Sequence, residues 1–414
     1  MTVTTFAELG LTERLLRALK DAHYNVPTPI QTRAIPMLLD GMDLLGIAQT
    51  GTGKTAAFTL PLLQNLVEDG IKPSPCKTRA LILAPTRELA VQISASIKTY
   101  GRFLNMRHAV VMGGVAQRPQ VEALRRGVDI LVATPGRLLD LINQRRCDLS
   151  ECEYLIIDEA DRMFDMGFIR DVRKIVGMMP DERQTLLFSA TMPKEVAKLA
   201  GEILYQPQRV EIAAKTVAVE RIEQHVHHLA KAEKRDLLAK LLNGPDLSKV
   251  IVFTRTKRGA DQVVKRLSRD GVAAEALHGN KSQNARQRSL EKFRSGRLRV
   301  LVATDLASRG LDVDDVSHVI NFELPNEPEC YVHRIGRTAR AGASGVAISF
   351  CDSSERPQLR SIERLIKRPI SVIGETPVEV VAAVTKKNKS GSRRPAPGAG
   401  KRRRRHRRVV RHAA

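Results

Sequence analysis

Short apolar runs alternate with helix-period stretches along most of this chain. Leu44-Leu45-Gly46-Ile47, Ala80–Ala84, Asp129–Ala133, Tyr154–Ile157 and Thr185–Phe188 are brief and lack the strict alternation of a half-exposed strand. Between them lie helical patterns such as Ala56–Leu66, Arg87–Leu104 and the segment that opens at Gly136. Strands apolar on both sides must be buried on both faces, and an intervening helix lets consecutive strands run parallel. The pattern predicts an α/β fold with a covered parallel sheet. Residues 6–40 read as helical before it, with Leu9, Leu11, Leu15, Leu16 and Leu19 to one side, a break at Pro27-Thr28-Pro29 and resumption at Ile30. The pattern lapses near Ala213–Glu220 and then restarts with Val250–Phe253, Ala273–Leu277, Val300–Ala303, Val319-Ile320 and Val346–Phe350. This division predicts a first domain over 1–212, a linker at 213–220 and a similar α/β domain over 221–370.

The turn after the first strand carries chemistry. Ala48-Gln49-Thr50-Gly51-Thr52-Gly53-Lys54-Thr55 joins an apolar strand to a helix, the setting a phosphate-binding loop requires. Gly51 and Gly53 allow backbone N–H groups to converge on phosphate oxygens, and the helix start adds partial positive charge. Lys54 can reach the terminal phosphates and the Thr55 hydroxyl can ligate Mg²⁺. A second strand, Leu155-Ile156-Ile157, ends in Asp158-Glu159-Ala160-Asp161, which delivers carboxylates where open α/β sheets place ligands. Asp158 suits Mg²⁺, directly or through water, and Glu159 suits a general base for the attacking water. The restarted half has a strand–turn–helix at Val250–Leu267, expected to stand where the phosphate-loop unit stands in the first half, but without Gly-Lys-Thr.

Charge adds a polyanionic partner. Lys and Arg total 68 against 45 Asp and Glu, for a formal +23 over 414 residues. Residues 371–414 hold 13 basic and two acidic residues, so the tail carries 13 − 2 = +11 and the body 55 − 43 = +12. The segment from about Thr385, ending in Lys401-Arg402-Arg403-Arg404-Arg405-His406-Arg407-Arg408, has too few apolar residues to fold alone and is expected to be disordered. It contains no Phe, Tyr or Trp, so it offers electrostatic tethering to a polyanion and no aromatic stacking. Cys76, Cys147, Cys152, Cys330 and Cys351 form no disulfide-dense pattern and read as reduced thiols, with Cys147/Cys152 as the one redox alternative. No apolar run approaches the roughly 18 residues of a membrane span, and the first residues lack a signal-peptide pattern. A soluble cytoplasmic protein is expected.

From about Phe6 to Ile370 the chain resembles the DEAD-box RNA helicases. Pro27-Thr28-Pro29-Ile30-Gln31 is similar to the Q motif, which implies Gln31 at the adenine edge, Tyr24 stacked on the ring and Phe6 as the upstream aromatic. The family usually has Gly where His23 stands. Ala48–Thr55 is similar to motif I, its Ala included, implying Thr50, Gly51, Thr52, Gly53, Lys54 and Thr55 at the nucleotide. Pro85-Thr86-Arg87-Glu88-Leu89, Gly113-Gly114 and Thr134-Pro135-Gly136-Arg137 resemble the first domain's RNA-contacting motifs. Ser189-Ala190-Thr191 resembles motif III, which links ATP state to strand separation.

In the second half, Ile251–Thr256 resembles motif IV and Ser282-Gln283-Asn284-Ala285-Arg286 carries a Gln-x-x-Arg element. Ala303–Asp312 resembles motif V, implying Thr304 at RNA with Gly310 and Asp312 at the nucleotide. His333–Gly342 resembles motif VI, with Ala339 where Gly is common. It implies Arg337 and Arg340 as arginine fingers and His333 coupled to Asp161. Thr254-Arg255-Thr256-Lys257 and the Thr-Ala-Arg variant of motif VI resemble the bacterial RhlE-type branch.

The resemblance implies two tandem RecA-like domains, ATP and Mg²⁺ as cofactors, and RNA-stimulated ATP hydrolysis coupled to unwinding of short duplexes. Glycines, hydroxyls and arginines among the implied RNA contacts read the sugar-phosphate chain and not base sequence. Ribosomal precursors and RNA-decay complexes are the expected partners, with oligomeric state open. An ATP-gated RNA clamp and a tail-driven RNA chaperone share the same residues and stay open as alternatives. A DNA helicase fits least, given the Q motif.

Overall fold

The computed structural model describes residues 5–49, 51–212, 222–244, 247–305, 316–339 and 345–373. They form two seven-stranded sheets in which every paired strand is parallel to its neighbour. The first contains β1 (Leu44–Ile47), β2 (Thr78–Leu83), β3 (His108–Val111), β4 (Val128–Ala133), β5 (Tyr154–Ile157), β6 (Gln184–Ser189) and β7 (Gln208–Glu211). Its spatial order is β3-β4-β2-β5-β6-β1-β7. The second contains β8 (Ile222–His228), β9 (Val250–Thr254), β10 (Ala274–Leu277), β11 (Val300–Thr304), β12 (His318–Asn321), β13 (Gly345–Cys351) and β14 (Ser371–Val372). Its order, β10-β11-β9-β12-β13-β8-β14, is the first order with each strand replaced by the one seven later.

That correspondence corrects one expectation. Val250–Leu267 does not stand where the phosphate-loop unit stands. β9 lies between β11 and β12 as β2 lies between β4 and β5, whereas β1 lies between β6 and β7. The counterpart of β1 is β8, followed by the helix Lys234–Leu242. β8 has the sequence IEQHVHH, without an apolar run, because only alternate residues, Ile222, Gln224 and Val226, are buried on it. The second sheet also reaches past residue 370, since Ser371–Val372 pairs with β8 as a two-residue exposed edge. The expected linker at 213–220 and the rest of the basic tail from 374 onward lie outside the described residues.

Alternate residues of the buried strands feed opposite faces, as the continuous apolar runs require. Ile82, Ile130, Ile156 and Phe188 join one core with Leu15, Ile30, Leu60 and Ile93 from the helices Glu13–Asp21, Pro29–Leu39, Lys54–Glu68 and Arg87–Tyr100. Leu81, Leu131, Leu155 and Leu187 join the other with Leu138, Met163, Val172 and Leu199. At the opposite end of the sheet from the chemistry, Arg79 is fully buried and binds Glu153 and Asp69 while donating to the Leu66 and Ile71 carbonyls.

All five cysteines are free. Cys147 and Cys152 are buried, and burial pushes both thiols up to about 12, which makes them poor redox nucleophiles. Among the described residues no helix is long and apolar enough to cross a membrane.

Candidate functional site

Parallel strands present all their C-terminal ends on one rim, and the residues singled out above gather there. After β1 the chain turns through Gly51 (φ 86°) and Gly53 (φ 92°), left-handed conformations that glycine adopts freely, into the helix Lys54–Glu68. A Cβ on Gly53 would lie 2.5 Å from Gln31 Nε2 and 2.8 Å from Thr28 Oγ1. Lys54 is buried and its Nζ donates to the Ala48 carbonyl at 2.8 Å. Thr52 Oγ1 donates to the Gln49 carbonyl at 2.7 Å, and Thr55 follows Lys54 in the first helical turn. Thr50 lies outside the described residues.

The Q-motif residues brace this loop. Gln31 is fully buried: Oε1 accepts from Thr28 N at 2.8 Å and Nε2 donates to the Gly53 carbonyl at 3.1 Å. Gln31 therefore already ties the helix Pro29–Leu39 to the phosphate loop in addition to its expected place at adenine. Phe6 is packed in the first core, and Tyr24 is exposed, edge-on to Tyr100 with 5.9 Å between centroids.

The acids after β5 are buried. Asp158 Oδ1 has no hydrogen-bond partner among the described residues. Burial pushes the Asp158 carboxyl up to about 6, against the pull of the Lys54 charge. Thr28 Oγ1 is likewise buried and unpartnered. Two orphaned oxygens beside a cationic, glycine-lined turn fit a metal-bound polyphosphate. Glu159 takes a left-handed backbone (φ 56°), which costs about 1–2 kcal/mol in a non-glycine residue, and its carboxylate pairs with Arg162. Arg162 had no place in the sequence argument, although its i+3 spacing from Glu159 was a signal. Asp161 Oδ2 accepts from Ala190 N, Thr191 N and Thr191 Oγ1 at 2.9–3.2 Å, while Asp161 N donates to Ser189 Oγ. The phosphate loop joins the same unit through Ala48 N, which donates to the Ser189 carbonyl.

The expected RNA contacts line the rim beyond β2, β3 and β4. Thr86 caps the helix Arg87–Tyr100 by accepting from Leu89 N, next to Pro85. The Arg87 guanidinium lies so close over Gly114 that a Cβ there would sit 2.0 Å from Nη1, and Gly113 flanks it. Thr134 precedes the helix Pro135–Asn143, in which Gly136 faces open space and Arg137 donates to the Val115 carbonyl. Burial lowers the Arg87 pKa, and so do the nearby Arg286 and Arg137 charges. Crowded arginines of this kind favour a polyanion.

The second sheet repeats the arrangement. Thr256 caps the helix Lys257–Arg269 with φ/ψ of −125°/149°, against −125°/154° at Thr86, and accepts from Gly259 N as Thr86 accepts from Leu89 N. Thr256 and Lys257 are thus the structural counterparts of Thr86 and Arg87. Sequence reasoning missed them, although each pair follows a buried strand. Thr304 ends β11 and, with Arg255, Lys257, Asp305 and Asn326, lines a cavity of about 330 Å³. The two rims touch: Gln283 Nε2 and Arg286 Nη2 both reach Glu88 Oε1 at 3.0 Å, and Arg87 donates to Gln283 Oε1.

Arg337 is buried just after the helix Pro328–Ile335, where its Nε donates to the His333 carbonyl. Three residues earlier, Arg334 grips Asp305 with both edges and donates to Asn321 and the Glu323 carbonyl, another pairing absent from the sequence argument. Gly310, Asp312 and Arg340 lie outside the described residues. His23 (φ 57°) and Ala339 (φ 56°) both occupy the left-handed region, which accounts for the family's glycine at these positions.

Residues 28–199 match the DEAD/DEAH box helicase family model and residues 233–342 match the helicase conserved C-terminal domain. A DEAD-box ATP-dependent RNA helicase CshA of Bacillus cereus is 44% identical over 88% of this chain and 69% of its own length. CshA of Bacillus subtilis is 42% identical, over 91% of this chain and 75% of its own. Among solved structures, Saccharomyces cerevisiae Dbp5 bound to RNA and ADP BeF3 overlays with a TM-score of 0.80 at 31% identity, covering 89% of this chain and 95% of that one. A Dbp5 variant bound to a Gle1 variant and IP6 overlays at 0.72 with 30% identity, covering 90% of this chain and 95% of that one.

Proposed function

This chain belongs to the DEAD-box family of ATP-dependent RNA helicases, and we propose that it separates short RNA duplexes locally by closing its two domains on ATP and one RNA strand. The observation that carries this proposal is the contact of Glu88 with Gln283 and Arg286. It joins the turn bearing Thr86-Arg87 to the helix Gln283–Arg294, which supports a shared face, completed by Thr256-Lys257, that follows a sugar-phosphate chain. The overlay on RNA-bound Dbp5, higher than on its Gle1-bound form, supports the same arrangement.

Within that arrangement Lys54 leaves the Ala48 carbonyl for the terminal phosphate, and Glu159 orients the attacking water and accepts its proton. Thr55 and Asp158 are the residues to hold Mg²⁺, which supplies charge neutralisation at the phosphates; the unpartnered Asp158 Oδ1 supports that assignment. Arg337, with Arg340, approaches the γ-phosphate from the second domain, so hydrolysis depends on closure. Asp161, held by Ser189 and Thr191, passes the state of the nucleotide to the rim. RNA is separated because one strand is bent into a path that a duplex cannot follow.

The Thr254–Lys257 turn and Ala339 support placement in the RhlE-type branch, whereas the relatives compared above carry the name CshA and not RhlE. Ribosome assembly or RNA turnover in the cytoplasm is the setting we infer from that placement. Steady-state ATPase activity of wild type and Glu159→Gln tests the core of the reading, with no nucleic acid, single-stranded RNA or matched DNA. Strong stimulation by RNA alone, lost in the variant, is expected. Equal stimulation by DNA refutes 2′-hydroxyl recognition, and no stimulation by either refutes coupled closure.

A further inference from the structure

The counterpart of the phosphate loop in the second domain is filled from within. Strand register sets the equivalence: Ile47 pairs with Ser189 at the end of β6, and His228 pairs with Cys351 at the end of β13. Likewise Ile157 pairs with Leu187, and Asn321 pairs with Ser349. Lys234, the first residue of its helix, therefore stands where Lys54, the first residue of its own, stands in the other domain.

Lys54 donates to the Ala48 carbonyl at 2.8 Å, and Lys234 Nζ lies 3.4 Å from the Phe350 carbonyl. Lys234 is buried, and its ammonium binds the carboxylate of Glu355, which is wholly inaccessible, with Asp352 Oδ2 3.1 Å away. The remaining donors around Glu355 come from every neighbouring strand end. Leu324 N donates at 3.2 Å after β12, Asp352 N at 3.3 Å after β13, and Arg255 Nη2 lies 3.2 Å away after β9. An ammonium, a guanidinium and two backbone N–H groups aimed at one pair of oxygens form a cradle for an oxyanion.

We propose that this cradle is a self-occupied phosphate site, in which the Glu355 carboxylate takes the place that a phosphate group takes beside Lys54. It is distinct from the ATP site and independent of the RNA reading. Removal of the Glu355 carboxylate vacates the cradle for inorganic phosphate, with Lys234 and Arg255 as its cations. Asp352 stays behind as a competing negative charge, so the acquired affinity is modest.

The test uses the full chain in a Lys54→Ala background, which keeps the first domain's loop from contributing. Thermal unfolding is compared in phosphate and in chloride of equal ionic strength for that parent, for added Glu355→Ala, and for Glu355→Ala with Lys234→Met. A phosphate-specific rise of about 2–4 °C is expected in the Glu355→Ala protein alone. No rise there, or a rise that survives Lys234→Met, overturns the proposal. Should Glu355→Ala be unfolded in chloride, recovery of native circular dichroism in phosphate supports the proposal, and failure to recover overturns it.

Discussion

Glu88→Ala isolates the contact between the two rims. Glu88 is buried, and one of its oxygens accepts from both Gln283 and Arg286, nearly 200 residues away in sequence. A hydrogen bond to a charged group contributes about 1.5–3 kcal/mol, and because the donors share an oxygen that range covers the pair. Loss of the contact should therefore weaken the closed arrangement by about 10- to 150-fold. The assay is fluorescence anisotropy of a labelled single-stranded RNA, titrated with a non-hydrolysable ATP analogue and again with ADP. Affinity should fall by that factor with the analogue and change little with ADP. Combining Glu88→Ala with Arg286→Ala closes a double-mutant cycle with an expected coupling of about 1.5–3 kcal/mol. A coupling below about 0.5 kcal/mol, or equal losses with both nucleotides, refutes the argument that this contact belongs to the closed state.

Ala339→Gly removes a left-handed strain of about 1 kcal/mol, and scanning calorimetry should show the second domain melting about 2–4 °C higher. Arg79→Met leaves the Leu66 and Ile71 carbonyls without their donor, while the partly exposed Asp69 and Glu153 turn to water, and urea unfolding should show a loss of about 1–3 kcal/mol. Against the upward push of burial, hydrogen bonds from Ser354 and Lys234 hold the Asp352 carboxyl at about 2, below its usual 3.8. Its contribution, on the order of 2 kcal/mol, is present above pH 4 and lost as pH falls towards 2. Asp352→Asn should be less stable at neutral pH and flatter between pH 4 and 2 in acid-unfolding curves.

The parts legible in sequence were those whose physics is local. A doubly buried strand announces itself by four or five consecutive apolar residues, and Gly51-Thr52-Gly53-Lys54 needs only its own backbone to turn. β8 stayed hidden because a strand near the sheet edge buries few residues and carries three histidines. The mistaken place of Val250–Leu267 has the same origin, since neighbours within a parallel sheet are set by long connections. Gln31 was identified by motif, but its hold on the Gly53 carbonyl depends on how a helix meets a loop 22 residues later. Glu355, remote in sequence from Lys234 and Arg255, had no signal short of the folded sheet.

The place of β1 between β6 and β7 has a consequence for how the chain folds. Leu44 pairs with Leu186 and Gln208, separations of 186 − 44 = 142 and 208 − 44 = 164 residues. On a growing chain β1 must therefore wait, unpaired, until most of the first domain has been synthesised. Such non-local closure is slow and leaves an apolar segment exposed meanwhile. The nucleotide pocket, which rests on the Ala48–Ser189 hydrogen bond, is among the last parts of that domain to form. A nascent chain stalled before β6 has every residue of the phosphate loop and no place to bind ATP.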